Sequence, residues 1–454
     1  MTERTAAADE PDGSLLSVEV ARSRVLDAVD GPLPPATVPI EAALGRVASA
    51  RTLAMTDLPP WDNSAMDGYA LRAIDIAGAS EAAPVVLRVV GEAAAGGSAG
   101  VLAEPGTAIR IATGAPLPVG VDAVVQVELT TALDSDGSPA GVRGRQATAG
   151  IPAAVMIHSS VPAGASIRRR GSDLESGTIV LEPGTRLGPA DIGLVAGAGV
   201  GEVAVHRRPT VAVLATGDEV RPTGSPLGAS GIPDANGPGL RALAAAAGAD
   251  VLDLGIARDR LDDVIEHLRR GVAGADVVIV SGGVSVGPYD VVRAAFDAIG
   301  SVSLWRVALQ PGKPFAFGTA PRPDGQHVLL FGLPGNPVSS YVTFEIFVRP
   351  ALRRLAGHRD LLRTSEVGVL LDPTTKSRGR RAYLRVEVER RPDGAPARDS
   401  DGRLRVHLAG ARAGGGQGSH VLSTLASADA LAAVPEAFGE VPAGTAVDVF
   451  WLDR

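Results

Sequence analysis

Cysteine is absent from the 454-residue chain. No disulfide can form, and the protein brings neither a thiolate nucleophile nor a thiolate metal ligand of its own. Histidine is nearly as scarce. The seven are scattered, without HExxH or paired spacing, so a histidine-based zinc or iron site is not expected. Aromatic residues are 3% of the chain, which leaves its cores to Ala, Val, Leu and Ile. No uncharged apolar run approaches the ~20 residues of a membrane span. Met1 to Leu15 is polar and acidic, unlike a secretory leader, so a cytoplasmic location is the expectation. A formal net charge of −8 argues against nucleic acid or an anionic membrane as a partner. An anionic substrate stays compatible if its site supplies local positive groups.

Two further scarcities are selective. Lys313 and Lys376 are the only lysines among 43 basic residues, and Asn63, Asn236 and Asn336 are the only asparagines. In a chain so biased toward arginine, a retained lysine or asparagine suggests that its own chemistry is wanted; chance retention is the plainer reading. All three asparagines and Lys313 fall in Gly- or Pro-rich loops.

What is present reads as three or four domains at about 100–200 residues each. Val18, Ala21, Val25 and Val29 are spaced as on one helix face. From Pro59 to about Pro162 short strands and turns follow one another: Val85–Val90, Thr107–Ile111, Ala123–Val127 and Val155–Ile157. From Arg208 to about Leu355, near-continuous apolar strands begin at Thr210, Asp250, Val277, Val302 and Val328. They alternate with helical stretches near 238–247, 260–272, 289–298 and 338–354. That alternation predicts a doubly wound parallel sheet covered on both faces. Past Gly357 the text returns to strands, as at Ala382–Val388, Arg403–Leu408 and Ala446–Trp451. The expected division is a linker domain (14–58 and 164–205), a β-rich insert (59–163), an α/β domain (206–355) and a C-terminal β domain (356–454).

In a parallel α/β sheet the segments that follow the strands share one edge, and ligands bind there. The five segments here are Thr216-Gly217-Asp218-Glu219; Arg258-Asp259; Ser281-Gly282-Gly283-Val284-Ser285-Val286-Gly287 with Asp290 beyond; Gln310-Pro311-Gly312-Lys313-Pro314; and Leu333-Pro334-Gly335-Asn336-Pro337-Val338-Ser339. Glycines let backbone N–H groups converge on an oxyanion, and a helix N-terminus adds partial positive charge. Asn336 before Pro337 suits an N-cap and first helical position, and Asn236 can serve likewise. Singly, each loop is better read as a tight turn; five on one edge weaken that reading. Glu219, Asp259 and Asp290 would repel a phosphate unless a cation bridges them, and carboxylates with substrate oxygens are the usual Mg²⁺ ligands. The plainer alternative for Asp259 and Asp290 is helix capping.

Outside this domain, Pro59-Pro60-Trp61-Asp62-Asn63-Ser64-Ala65-Met66-Asp67-Gly68-Tyr69-Ala70 packs acids, Asn and Ser around small residues. Thr113-Gly114-Ala115-Pro116 and Arg168-Arg169-Arg170-Gly171-Ser172-Asp173 are similar in kind; an ornate turn and a solvated face are the bland readings.

Together these segments resemble the molybdopterin molybdenumtransferase family, the MoeA and gephyrin E-domain proteins. The matching text is PPWDNSAMDGYA (59–70), RIATGAPLP (110–118), GSDL (171–174), TGDEV (216–220), GIARD (255–259), SGGVSVGPYD (281–290), PGKPFAFG (311–318), GLPGNPVSS (332–340) and GQGSH (416–420). The resemblance implies four domains, with a MogA/MoaB-like central domain, an elongated linker and a barrel-like C-terminal domain. It implies a homodimer whose cleft lies between the α/β domain of one subunit and the β-rich domain of the other. The implied reaction is insertion of molybdate into adenylyl-molybdopterin, with Mg²⁺ promoting anhydride cleavage and AMP leaving. The sulfur ligands would belong to the substrate, in keeping with the missing cysteine. By motif match, Asp62, Thr113, Asp173, Glu219, Asp259 and Asp290 correspond to functional polar residues, the last three as metal ligands. Gly282, Gly283, Ser285, Gly287, Pro334, Gly335, Asn336, Pro337 and Ser339 would bind substrate. Arg306, Lys313, Arg380 and Ser419 are the implied anion contacts. A pterin adenylyltransferase acting one step earlier would be an upstream partner; that activity itself, or a non-catalytic scaffold, are the alternatives. Trp61 stands where the family often has Phe, and Arg306 and Gln310 where lysine is common. Gln310 therefore loses a charge, while Asp173 keeps the acid of a motif that otherwise differs.

Overall fold

Helix α1 (Val18–Asp27) opens the structured chain. Ser17 caps it, its hydroxyl accepting from Val20 N at 3.2 Å, and Val18, Ala21 and Val25 form its buried stripe. The computed structural model describes residues 15–97, 100, 102–145, 150–283, 291–322, 325–410 and 416–453. The sequence division groups α1 with the linker. Its stripe packs with Leu16, Val29 and Leu33 in the core cluster of the α/β domain. The small linker core, built on Ile40, Leu181, Leu187, Val195 and Val205, offers it no comparable apolar face.

The linker joins two distant segments. Pro35–Pro39 pairs antiparallel with Glu202–His206, and Thr52–Leu53 with Ile179–Leu181. Helix α2 (Pro189–Gly197) packs beside them, its first turn held by Asp191, which accepts from Gly188 N at 2.7 Å. Between the segments sits the insert, a six-stranded sheet. Its strand Gly68–Leu71 lies between Thr107–Ile111 and Ala123–Gln126. Only glycine fits at 68, because an added Cβ would fall 2.0 Å from Val125 O.

The central domain carries strands β1 (Thr210–Thr216), β2 (Asp250–Ala257), β3 (Val277–Ser281), β4 (Ser301–Arg306), β5 (Pro314–Pro321) and β6 (His327–Leu333). Their order is β2-β1-β3-β6-β5-β4. The first four are mutually parallel. Strand β5 runs antiparallel to both β6 and β4, which restores β4 to the common direction. Sequence reading assigns no element between the Gln310–Pro314 loop and the strand at Val328, a stretch that opens on PGKP and contains Gly318. Gly318 is there because a Cβ would fall 2.1 Å from Ser301 O on β4. Helices α3 (Asn236–Ala246), α6 (Pro337–Thr343) and α7 (Arg349–Leu355) join α1 on one face of the sheet. Helices α4 (Leu261–Gly274) and α5 (Val291–Ile299) cover the other. A π turn, Phe344–Val348, links α6 to α7 and stacks Phe347 on Phe315 at 4.6 Å.

In the C-terminal domain the strands Ser365–Leu370, Arg381–Val388, Leu404–Leu408, Ala430–Val434 and Thr445–Trp451 close into a five-stranded barrel. Closure comes from Arg381–Val388, which pairs with both Leu404–Leu408 and Ala430–Val434. Leu309–Gln310, between β4 and β5, extends this barrel sheet by pairing with Arg381 and Ala382.

Candidate functional site

The chain runs from β1 outward to β2, then crosses back to β3 on the other side. The strand order therefore reverses between β1 and β3, and a crevice opens beyond their carboxyl ends. A cleft of about 890 Å³ lies there. Thr216 and Gly217 line it from β1; Ser281, Gly282 and Gly283 from β3; Pro334, Gly335, Asn336, Pro337 and Ser339 from β6 and α6.

The glycines have steric reasons. Gly282 and Gly283 adopt φ of 97° and 64°. A Cβ would meet Thr216 O at 2.8 Å at the first and Val292 at 2.4 Å at the second. A Cβ on Gly335 would lie 3.7 Å from Gly282 Cα, so the two glycine loops abut. The asparagines lock these loops together. Asn236 donates its amide to Ser281 Oγ and Gly335 O, both at 2.7 Å. It is the first residue of α3 rather than its cap; Asp234 accepts from Gly237 N there at 2.8 Å. Asn336 occupies the N-cap position of α6 with Pro337 following, but its amide donates to Ser419 Oγ at 3.0 Å instead of capping. Val338 N also donates to Ser419 O at 3.1 Å. The GQGSH loop of the barrel domain is thereby fastened to the cleft, and His420 lines it.

Glu219 and Asp259 both line the cleft and are exposed in it. Asp259 is not a helix cap: Arg260 holds that position, and Asp259 accepts from Asp218 N at 3.3 Å while Asp218 accepts from Asp259 N at 3.4 Å. Neither Glu219 nor Asp259 has a lysine or arginine at ion-pair distance among the described residues. No group of three or more metal-ligating side chains converges among the described residues. Asp290, Ser285 and Gly287 lie outside the described residues. Lys313 has Arg306 and Arg380 for neighbours; burial and then these like charges hold its ammonium below the usual lysine range. Gln310, in place of a charge, accepts from Ser377 N at 2.8 Å and so ties the Lys313 loop to the barrel.

The remaining candidates gather elsewhere in the same chain. None of Asp62, Thr113 and Asp173 lines the cleft. Asp62 accepts from Arg170 N at 2.8 Å and pairs with Arg169 at 2.6 Å, and these two contacts, in that order, hold its carboxyl below the usual range. Thr113 donates through N and Oγ1 to Asp67 at 2.7 and 3.0 Å. Asp173 is exposed, its N bonded to Leu58 O at 3.0 Å. Three motifs thus converge where insert and linker join. Sequence reasoning passes over Asp67, Asp234 and His420, and above all Arg385. That arginine is fully buried in the barrel. It donates to Gln417 O at 3.0 Å, Gly416 O at 3.3 Å, Gly418 O at 3.0 Å and Thr424 Oγ1 at 3.2 Å. Burial pushes its pKa down to about 10. Arg385 is the frame on which the GQGSH loop hangs.

Sheet, crevice and flanking domains together define a multidomain α/β protein with a glycine-lined cleft at the sheet's switch point. The chain belongs to the MoeA family. Residues 16–199 match the MoeA N-terminal region (domain I and II), 212–354 a probable molybdopterin binding domain, and 367–452 the MoeA C-terminal region (domain IV). Molybdopterin molybdenumtransferase 2 of Mycobacterium tuberculosis is 38% identical over 425 residues, 92% of this chain and 95% of the relative. The Haemophilus influenzae molybdopterin molybdenumtransferase is 32% identical over 436 residues, covering 96% and 98%. A solved molybdopterin biosynthesis MoeA protein from Pyrococcus horikoshii superposes at a TM-score of 0.73 with 25% identity, over 97% of this chain and 100% of that one.

Proposed function

We propose that this chain is a molybdopterin molybdenumtransferase, inserting molybdate into adenylyl-molybdopterin and releasing AMP. The observation that carries the reading is the switch-point cleft, where glycine loops abut and two carboxylates without an ion-pair partner among the described residues face the same space. Backbone N–H groups of Gly283 and Gly335 would donate to phosphate oxygens, Gly282 N being held by Leu333 O, and Asn236 and Asn336 hold those loops in register. Lys313, Arg306 and Arg380 neighbour one another without lining the cleft and would supply positive charge to a substrate extending beyond it. Glu219 and Asp259 are hard oxygen donors and fit Mg²⁺, which takes one or two carboxylates together with substrate phosphates; Asp290 would complete the set. Bound there, the ion would neutralise charge building on the phosphoanhydride. Asp62, Thr113 and Asp173 would face the cleft from a second subunit. No described helix is long and apolar enough to cross a membrane. A cytoplasmic enzyme taking its substrate from an upstream pterin adenylyltransferase fits this reading.

The test is incubation with adenylyl-molybdopterin, molybdate and Mg²⁺, followed by mass spectrometry of the pterin. Release of AMP and a molybdenum-loaded product, both requiring Mg²⁺, is the expected result. Consumption of ATP with free molybdopterin would move the reading one step earlier. Bound substrate without turnover would favour a scaffold.

A homodimer should form through the linker. Leu53 and Ile179 are paired across two strands and are 49% and 42% exposed; Met55, two residues along, is 72% exposed. These apolar side chains are a natural contact patch. Leu53→Asp with Met55→Asp is expected to shift a dimer to monomer in size-exclusion chromatography with light scattering, and to reduce turnover with it. A dimer unchanged by both substitutions would place the contact elsewhere.

A further inference from the structure

A second cavity, of about 320 Å³, opens where the linker, the α/β domain and the last described residues of the chain meet. Arg207 and Arg208, just before β1, and Ala246–Gly248, just before β2, place it at the amino edge of the sheet, opposite the cleft. No residue lines both.

Its lining is unusual in a chain of net charge −8. Six arginines contribute: Arg46 and Arg186 from the linker, Arg207 and Arg208 before β1, and Arg349 and Arg353 on α7. Asp453 is the one carboxylate on the wall, and it pairs with Arg363 at 2.8 Å. Two of the six are matched. Arg207 grips Asp276 at 2.9 and 2.7 Å, and Arg349 lies 3.8 Å from Glu345. Among the described residues, the other four have no carboxylate at ion-pair distance. Arg353 donates to Asp360 O at 2.6 Å and Arg46 to His206 O at 3.0 Å, both backbone carbonyls. Arg46 Nε is buried with no hydrogen-bond partner among the described residues. His358 also lines the cavity; burial, then Arg353, Arg186 and Arg349, push its pKa down to about 4, so it adds no charge at neutral pH.

Like charges gathered without counter-charge repel one another and lose hydration. Guanidinium groups suit multivalent oxyanions because their donors form a planar fork. We propose that this cavity binds a small multivalent oxyanion, free or as the phosphate end of a larger molecule, and that the bound anion clamps the linker to the α/β domain. The proposal is independent of the reaction assigned to the cleft.

Isothermal titration of the full chain at low ionic strength with inorganic phosphate, sulfate, molybdate and AMP tests it, with chloride as control. Saturable binding of at least one oxyanion is expected, weakened at least tenfold in Arg186→Gln/Arg353→Gln. Asp453→Asn should tighten it by removing the one negative group on the wall. Thermal unfolding should shift upward with the anion in the parent chain and not in the double variant, whose circular dichroism reports folding. Within the binding that Arg186→Gln/Arg353→Gln removes, which excludes binding at the cleft, tighter AMP than phosphate would identify a phosphoester as the ligand; tighter molybdate, a free oxyanion. Absence of saturable binding by all four, or binding unaffected by the arginine substitutions, would overturn the proposal.

Discussion

Asp259→Ala and Glu219→Ala are each expected to lower AMP release from adenylyl-molybdopterin at least ~100-fold while leaving the protein folded. Both carboxylates are exposed at the cleft and neither is ion-paired among the described residues, so the fold depends little on them. Exposed substitutions of this kind typically change stability by about 0.5 kcal/mol or less. Their repulsion of an anionic ligand makes sense only if a cation intervenes. Losing one ligand of a phosphate-bound Mg²⁺ removes several kcal/mol of charge stabilisation, and each ~1.4 kcal/mol is tenfold in rate. The metal assignment further requires that residual activity demand more Mg²⁺ for half-saturation. Turnover within about threefold of the parent in both variants, at unchanged Mg²⁺ requirement, would refute it.

The second large effect is expected from a residue that does not line the cleft. Arg385→Met should cost about 3 kcal/mol or more in urea unfolding and disable the cleft as well. Arg385 serves three backbone carbonyls and one hydroxyl from a fully buried position. Removing it strands acceptors that cost about 1–3 kcal/mol each when left unsatisfied. The GQGSH loop would loosen, and with it the Ser419 contacts to Asn336 and Val338 at the head of α6. Arg385 acts through that loop, so KM for the pterin should rise more than kcat falls. Arg385→Lys should recover little, because a point charge with a shorter reach cannot span four acceptors. A variant with lowered stability but unchanged KM would reduce Arg385 to a purely structural role.

Much of this was readable in the residues, and the rest had physical reasons not to be. The central strands announced themselves because strands buried on both faces are apolar throughout, as at Val211–Leu214 and Val277–Val280. Strand β5 did not, because Gly318 is placed for contact with β4, which single-sequence text cannot distinguish from a turn. The cleft's glycines and acids were visible from their order after the strands. Asn236 and Asn336 were visible as residues, but the caps expected of them, like the capping alternative for Asp259, gave way to contacts between loops distant in sequence. Asn236 reaches across 45 and 99 positions, and Asn336 across 83. Arg385 was hidden among 43 basic residues, since nothing local marks a buried guanidinium.

One earlier detail bears on how the molecule holds together. Tyr383, Leu431 and Ala433 of the barrel belong to the same apolar cluster as Phe315, Phe347 and Val25. The insert's clusters, around Tyr69 and Ile109, share no residue with it. The barrel, the α/β domain and α1 therefore share one apolar interior beside the barrel's own core, and trimming the barrel off would open part of its neighbour's core to water. The insert packs around apolar clusters of its own, so its interior does not depend on that shared core.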